Sequence, residues 1–304
     1  MMNGILVIDK PKGFTSTQTV NKVKKILEIK KAGHIGTLDP LATGVLPVCL
    51  NGGTKIIPFL DDNHKEYEAI MQLGIETDSM DITGKKINER EVGKFSESDI
   101  LQVLEKFTGC IEQTPPMFSA IRKNGVRLYE LARKGIEVCR KPRKVNIEKI
   151  QLVDIDIPFV KFFVRCSKGT YIRSLCSDIG RELTSGACLY SLRRVRCCNF
   201  RISDAYNIDD LTENNFRVIS IIDSMKHLQT LDIDKNMESM LRHGKKIFKI
   251  HLDQDRLTRF SAGDRLMLKN GNRLISVVES LISSDKLNNY DENEQIFKIN
   301  RVFN

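Results

Sequence analysis

The residues best suited to chemistry lie in the stretch 33–47, where a single carboxylate, Asp39, stands among three glycines and two prolines. Glycine and proline at this density are typical of a loop, and loops on a rigid scaffold often carry catalytic side chains. Pro40 follows Asp39 directly, which biases the aspartate backbone towards an extended conformation and fixes the direction of its carboxylate. An Asp-Pro pair can equally form a structural turn, so the pattern alone leaves two interpretations: an aimed nucleophile or an Asx-turn.

The whole string G-H-I-G-T-L-D-P-L-A-T-G-V-L-P, preceded by K-P-K-G at 10–13, closely resembles the signature of the TruB family of tRNA pseudouridine synthases. The resemblance implies that Asp39 is the catalytic nucleophile and that His34 occupies the space left by a flipped-out nucleotide. The alternative for His34 is a structural histidine bonded within its own loop. Ile35 departs from the pattern, because many members carry threonine there, but it leaves His34 and Asp39 in register.

A second informative string, F-F-V-R-C-S-K-G-T-Y-I-R at 162–173, predicts a strand, a turn and a helix. Arg173 would lie in the first helical turn, where the helix dipole disfavours a cation, so another group should fix it. A surface arginine is the alternative. The string resembles a TruB motif in which the arginine pairs with the catalytic aspartate, here Asp39, and the tyrosine, here Tyr171, contacts the base. That pairing would keep the carboxylate ionised and oriented.

Two further residues complete the predicted base pocket. Residues 65–74 alternate in polarity, which predicts a strand whose buried row begins at Tyr67. Core packing with the hydroxyl at the rim is the alternative for this tyrosine. The resemblance implies instead that Tyr67 lies against the target base and is a candidate for handling its proton. Residues 186–194 resemble the last TruB motif, in which Leu192 borders the base pocket; otherwise Leu192 is ordinary core.

The reaction implied by the resemblance breaks the C1′–N1 bond of a uridine, turns the base and joins C1′ to C5. It needs a nucleophile, a proton acceptor for C5 and a closed pocket. The sequence does not decide whether Asp39 attacks base C6 or ribose C1′. Neither a metal nor a redox cofactor is required, and the eight cysteines are scattered without paired C-x-x-C motifs, which favours reduced and mostly buried thiols.

The charge pattern points to a polyanionic partner. The chain of 304 residues carries a formal net charge of +9, and residues 117–150 contain ten Lys or Arg against three Glu. We interpret residues 111–144, hereafter the basic segment, as an excursion from the main sheet that resembles the RNA-gripping thumb of the family. The implied partner is the T arm of tRNA, with uridine 55 of the T loop as the target, and the implied enzyme is a monomer that needs no protein partner.

The order of patterns predicts an α+β fold with a mixed, mainly antiparallel sheet and flanking helices. We expect a strand at 4–9, a helix from a Ser16 cap to about Lys30, an exposed polar turn at 76–84 and a helix that starts at a Ser96 capping box. Short strands at 246–252 and 273–278 predict a small β-rich domain. We divide the chain into a catalytic domain, 1–228, and a C-terminal PUA-like RNA-binding domain, 229–304.

The apolar runs are too short for a membrane span, and the first residues lack the basic and apolar regions of a secretion signal, so we expect a cytoplasmic protein. Two alternative functions remain. One is a guide-RNA-dependent pseudouridine synthase subunit, which would need partner proteins. The other is a tRNA-binding folding helper in which the catalytic residues are incidental.

Overall fold

A computed structural model describes residues 2–60, 64–212, 215–251 and 259–303 of the chain. Its strands, numbered in chain order, are β1 Gly4–Lys10, β2 Ala32–His34, β3 Thr43–Leu50, β4 His64–Leu73, β5 Ile75–Thr77, β6 Lys86–Glu89, β7 Gly109–Gln113, β8 Arg122–Lys123, β9 Val126–Arg127, β10 Arg143–Asp156, β11 Phe159–Ser167, β12 Ala187–Cys197, β13 Phe200–Arg201, β14 Tyr206–Asn207, β15 Gln229–Asp232, β16 Ile247–Phe248, β17 Arg265–Asn270, β18 Arg273–Ser280 and β19 Gln295–Val302. Its α-helices are α1 Ser16–Ile26, α2 Glu97–Lys106, α3 Leu128–Arg133, α4 Ile172–Glu182, α5 Ile221–Ser224 and α6 Lys235–Arg242. Short 3₁₀ helices include Asn51–Phe59.

A mixed sheet of ten strands forms the larger layer, with the order β14-β1-β3-β12-β4-β11-β10-β7 and with β2 and β13 at the sides of β3 and β12. All neighbouring pairs are antiparallel except β1 with β14 and β3 with β12. The predicted α+β class with a mainly antiparallel sheet is therefore confirmed. Strand β4 lies centrally, between β12 and β11, and its alternating row from Tyr67 to Leu73 is buried as expected.

Helices α2 and α4 cover one face of this sheet. The apolar side chains of α4 recur at helical spacing and pack onto the buried row of β4 in one cluster: Ile172, Leu175, Cys176 and Ile179. Each such side chain contributes roughly 1.5–3 kcal/mol when fully buried. This packing fixes the first turn of α4 relative to β4, and so it fixes Arg173 in that turn and Tyr171, the N-cap before it.

The start and end of α1 differ from the prediction. Thr15, not Ser16, is the N-cap. Its hydroxyl oxygen accepts a hydrogen bond from Gln18 N, and Thr15 N donates to Gln18 Oε1. The helix ends at Ile26 rather than near Lys30, because Glu28 adopts a positive φ of 50° that stops helical propagation. Ser16 is thereby released for a different contact, with the loop that carries Asp39.

The basic segment leaves and rejoins the sheet where β7 and β10 pair, with Gln113 opposite Arg143. The excursion proper is therefore 114–142, slightly shorter than the predicted 111–144. It contains the predicted helix at Leu128 and also a hairpin, β8 with β9, whose Asn124-Gly125 turn has two positive φ values and was not predicted from the sequence.

A five-stranded sheet, ordered β15-β17-β18-β19-β16, lies near the C-terminus. The strand predicted at 273–278 is present as β18, but the strand predicted at 246–252 is wrong: only Ile247–Phe248 pair, and Lys249–His251 form a 3₁₀ turn, while Leu252 lies outside the described residues. Met267, Val277 and Phe303 of this part join an apolar cluster that includes Ile5 and Val45. The two sheets therefore share buried contacts. Within the described residues, no helix is long and apolar enough to cross a membrane.

Candidate active site

Asp39 lies in the loop between β2 and β3, and main-chain contacts fix the loop on both sides of it. The Ser16 hydroxyl accepts from Leu38 N at 2.8 Å and donates to Leu38 O at 3.0 Å, while Gly13 N donates to Pro40 O at 2.8 Å. Leu38 itself is buried in the cluster beneath α4. The carboxylate of Asp39 is therefore carried by a rigid turn, yet its side chain remains 40% exposed.

The structure places Arg173 against the covered side of this carboxylate. Its Nε lies 2.9 Å from Asp39 Oδ2, and the arginine side chain is only 5% exposed. The other two guanidinium nitrogens donate to main-chain carbonyls, Nη1 to Ser79 O at 3.1 Å and Nη2 to Phe118 O at 2.7 Å. A cation in the first turn of a helix was expected to need other partners, and Asp39, Ser79 O and Phe118 O are those partners. They hold Arg173 in one orientation.

Asp81 is a site residue that the sequence did not identify. Its Oδ2 lies 3.7 Å from Arg173 Nη1, its side chain is 7% exposed, and its Oδ1 accepts from Ser79 Oγ and Thr83 N at 3.0 and 2.9 Å. The predicted exposure of 76–84 is wrong at Thr77, Ser79 and Asp81, which are buried. The reason is tertiary: Met80 O and Ile82 N bond to the main chain of Leu189 in β12, which turns the alternate side chains inward.

Lys10, at the end of β1, is a second cation, to which sequence analysis assigned no role in the site. It is buried, and its ammonium donates to the carbonyls of Pro11 and Phe14 at 2.9 and 2.7 Å. Burial lowers its pKa to about 8, while the negative charge of Asp39 raises it. Asp39 is thus the common neighbour of two cations, Arg173 and Lys10.

The protonation of Asp39 reflects opposing influences. Withdrawal from water is the largest and raises the pKa of the carboxyl group above its usual 3.8, and the charge of Asp81 acts in the same direction. Arg173 lowers this pKa by its charge and its hydrogen bond, and Lys10 lowers it further. A carboxylate with little hydration on its inner side is a stronger nucleophile, provided that these cations keep it ionised.

Four further residues, His34, Tyr67, Tyr171 and Leu192, were predicted to form the base pocket. Tyr67 and Leu192 are buried and share one cluster with Leu38. Tyr171 is the N-cap of α4, and burial raises the pKa of its hydroxyl, with Asp39 among the charges that act on it. His34 lies in β2, where burial and then the charge of Arg194 lower its pKa, which favours a neutral imidazole.

The base of the basic segment is bonded to the first turn of α4. The side-chain amide of the buried Gln113 forms two hydrogen bonds with the main chain of Tyr171. It donates to the carbonyl at 3.0 Å and accepts from the N–H at 2.7 Å. Ser174 Oγ donates to Thr114 O at 2.9 Å. Together with the bond from Arg173 to Phe118, these contacts join the excursion to the helix that carries the arginine.

The chain is similar to several known proteins. Residues 24–172 match a sequence model described as "TruB family pseudouridylate synthase (N terminal domain)", and residues 173–232 match "tRNA pseudouridylate synthase B C-terminal domain". Two curated relatives bear the name tRNA pseudouridine synthase B. The protein from Clostridium tetani is 43% identical over 278 residues, covering 91% of this chain and 95% of the relative, and that from Syntrophus aciditrophicus is 40% identical over 309 residues, covering 99% of both.

A solved structure titled "Crystal Structure of a Cbf5-Nop10-Gar1 Complex" is also similar. Its TM-score is 0.74 at 27% identity, and the match covers 99% of this chain and 84% of that one. The likeness extends over nearly the whole chain and supports the mixed-sheet fold described above.

The charges around Asp39 generate a prediction about its titration. Replacing Arg173 with Met removes the strongest influence that lowers the Asp39 pKa, so this pKa should rise above that of the unchanged chain. Asp81→Asn removes a charge that raises it, so the pKa should fall. The measurement is the pH dependence of the Asp39 carboxyl ¹³C shift in aspartate-labelled protein. Arg181→Met, on the same helix but paired with Asp178, is the control and should leave Asp39 unchanged. Equal titration curves in all four proteins would refute the assigned charge arrangement.

Proposed function

The chain belongs to the TruB family of pseudouridylate synthases, and from this premise we propose that it converts uridine 55, in the T loop of tRNA, to pseudouridine with Asp39 as the nucleophile. The isomerisation of uridine to pseudouridine in tRNA is the activity for which its curated relatives are named. One observation carries the proposal: a half-exposed carboxylate on a rigid turn whose inner side is held by a buried guanidinium. This is the arrangement that an attacking carboxylate needs.

The reaction is an isomerisation in which the atoms of the base and the ribose are all retained. The C1′–N1 bond breaks, C1′ bonds to C5, the proton leaves C5, and N1 gains a proton. Asp39 attacks either base C6 or ribose C1′, and it departs when the new glycosidic bond is complete. Arg173 orients the carboxylate, while Tyr67, Tyr171 and Leu192 enclose the base and keep the freed uracil beside the sugar. His34 fills the space that the extruded nucleotide leaves in the RNA.

A uridine in a loop is the substrate that this geometry favours. Asp39 exposes only one side, so the base must leave its stack and enter between the carboxylate and the Tyr67 row. Extrusion costs a few kcal/mol, and least where the base is unpaired. The lysines and arginines of the basic segment lie on the phosphate side of such a complex, and their contacts offset this cost.

We propose that the two parts of the chain have different functions. We assign residues 1–228 to the catalytic domain, with the basic segment at 111–144 as its RNA-gripping thumb, and residues 229–304 to a PUA-like RNA-binding domain. We propose that the enzyme is a cytoplasmic monomer that works without a protein partner and without a cofactor. Asp39, Asp81, Arg173 and Lys10 supply the charges that the reaction needs, and Tyr67 and Tyr171 supply neutral hydroxyls.

The guide-RNA-dependent alternative draws on the similar solved structure, whose title names the additional proteins Nop10 and Gar1. The curated relatives are more similar to this chain and are named for tRNA. The basic segment also favours a stand-alone enzyme, because a protein that grips its own substrate needs a cationic surface of this kind.

The central experiment maps the modified uridine in unmodified tRNA incubated with the purified chain. We expect one pseudouridine, at position 55, without added protein or guide RNA. Asp39→Asn should bind the tRNA and form none, since an amide cannot act as the anionic nucleophile. Asp209→Asn, a surface control, should retain activity. Conversion by Asp39→Asn, or a requirement for partner proteins, would contradict the proposal, and an inactive but tRNA-binding parent chain would favour the folding helper.

A second prediction concerns the basic segment. Lys141, Arg143 and Lys144 are exposed, so replacing all three with Gln should weaken tRNA binding and reduce the slope of log K against log salt by about 2 to 3. The matched control exchanges Lys for Arg and Arg for Lys at the same positions, which conserves the charge and should preserve the slope. An unchanged slope in the neutral variant would place these side chains outside the RNA interface.

A further inference from the structure

Arg194 is a buried cation for which the reaction described above assigns no role. It lies in β12, within the last TruB-like string of the sequence, and the residue is 0% exposed. No described carboxylate lies within ion-pair distance of its guanidinium. Burial of a charge without an ionic partner is costly, so its polar contacts must compensate. Those contacts are with main-chain carbonyls on both sides of Asp39 in the sequence.

The guanidinium of Arg194 joins the two ends of the Asp39 loop. Nη2 donates to Gly36 O at 2.7 Å and Nη1 to Thr37 O at 3.5 Å, on the side of the loop that precedes Asp39. Nε donates to Val45 O at 2.8 Å, in the strand that follows it. One planar group therefore spans the main chain before and after the nucleophile. Lysine, which is a point donor, cannot reproduce these directions.

The same side chain faces Tyr67. Arg194 and Tyr67 are register partners in the antiparallel pair β12 and β4, so their side chains stand next to each other on one face of the sheet. Arginine only donates, so in a hydrogen bond between the two side chains the Tyr67 oxygen is the acceptor. Burial raises the pKa of Tyr67, and the charge and hydrogen bond of Arg194 oppose that rise. The raised pKa keeps Tyr67 a neutral hydroxyl beside the guanidinium.

The close approach of β3 to β12 is built into the sequence. Arg194 also pairs with Gly44 in the parallel contact of these strands, and a Cβ atom on Gly44 would lie 2.2 Å from Arg194 O. Gly44 therefore permits the strand that leaves the Asp39 loop to lie directly beside the strand that carries Arg194. Three strands are therefore consecutive neighbours in the sheet: β3, which follows the Asp39 loop, β12, which carries Arg194, and β4, which carries Tyr67.

We propose that Arg194 is a positioning residue for pseudouridine formation, which fixes the Asp39 loop and the Tyr67 hydroxyl relative to each other. This inference rests on the proposed function. It differs from the role of Arg173, whose charge acts on Asp39 directly: the charges that act on Asp39 are those of Arg173, Asp81 and Lys10. Arg194 works through the main chain of the loop and through the tyrosine, not through contact with the substrate.

The test compares Arg194→Lys, which keeps the charge but loses the planar fork, with Arg194→Met, which loses both. Arg193→Lys is the matched control on the same strand, where Arg193 pairs with Asp9 near the surface. The measurements are the single-turnover rate of pseudouridine formation in unmodified tRNA, the Kd for that tRNA, and thermal unfolding. We expect Arg194→Lys to fold and to bind tRNA within about threefold of the parent, yet to react about 10 to 100 times more slowly. Arg194→Met should be at least as slow.

The outcomes separate the inference from its premise. A parental rate in Arg194→Lys, equal losses of rate and binding, or a failure of the Lys variant to fold would each overturn the positioning role. An equal loss of rate in the Arg193→Lys control would also overturn it, because the effect would then not be specific to Arg194. A parent chain that forms no pseudouridine in tRNA would instead refute the proposed function itself.

Discussion

The structure of the site depends on one interaction, the contact of the buried Arg173 guanidinium with the partly buried Asp39 carboxylate. A carboxylate withdrawn from water tends to take up a proton, and in that state it cannot attack carbon. Arg173 opposes this tendency at 2.9 Å, and Asp81, on another side of the guanidinium, keeps the arginine from being an uncompensated buried charge. Two carboxylates around one guanidinium thus serve two purposes: Arg173 opposes protonation of the proposed nucleophile, and Asp81 stabilises the buried cation.

The fold supplies this interaction from four separate parts of the chain. Helix α4 brings the arginine, the loop before β3 brings Asp39, the turn before β6 brings Asp81 and Ser79 O, and the base of the basic segment brings Phe118 O. Because Phe118 belongs to the basic segment, the part of the chain that we propose to contact RNA is bonded to the arginine that holds Asp39. The main-chain carbonyls of Ser79 and Phe118 therefore help to hold Arg173 against Asp39.

Sequence patterns identified the elements that short-range spacing determines, and they missed residues whose burial depends on contacts with distant segments. The loop around Asp39 was predictable because glycines, prolines and one carboxylate are concentrated in a short stretch. The buried row that begins at Tyr67 was predictable because apolar and polar residues alternate along the strand. The first turn of α4 was placed correctly because its apolar positions recur at helical spacing. Asp81 was missed because a Thr, Ser and Asp turn has the composition of an exposed loop, and only its pairing with β12 buries it. Lys10 and Arg194 were missed for a related reason, since burial of a cation is decided by the carbonyls that other segments bring to it.

The claim that Arg173 serves the chemistry, and not the grip on RNA, is tested most directly by Arg173→Ala. The measurement pairs the single-turnover rate of pseudouridine formation with the Kd for unmodified tRNA, and Arg181→Ala on the same helix serves as the reference. The account predicts a fall in rate of about 100-fold or more with a Kd within about threefold of the parent. A variant that reacts at the parental rate, or one that loses binding and rate in equal proportion, would contradict it.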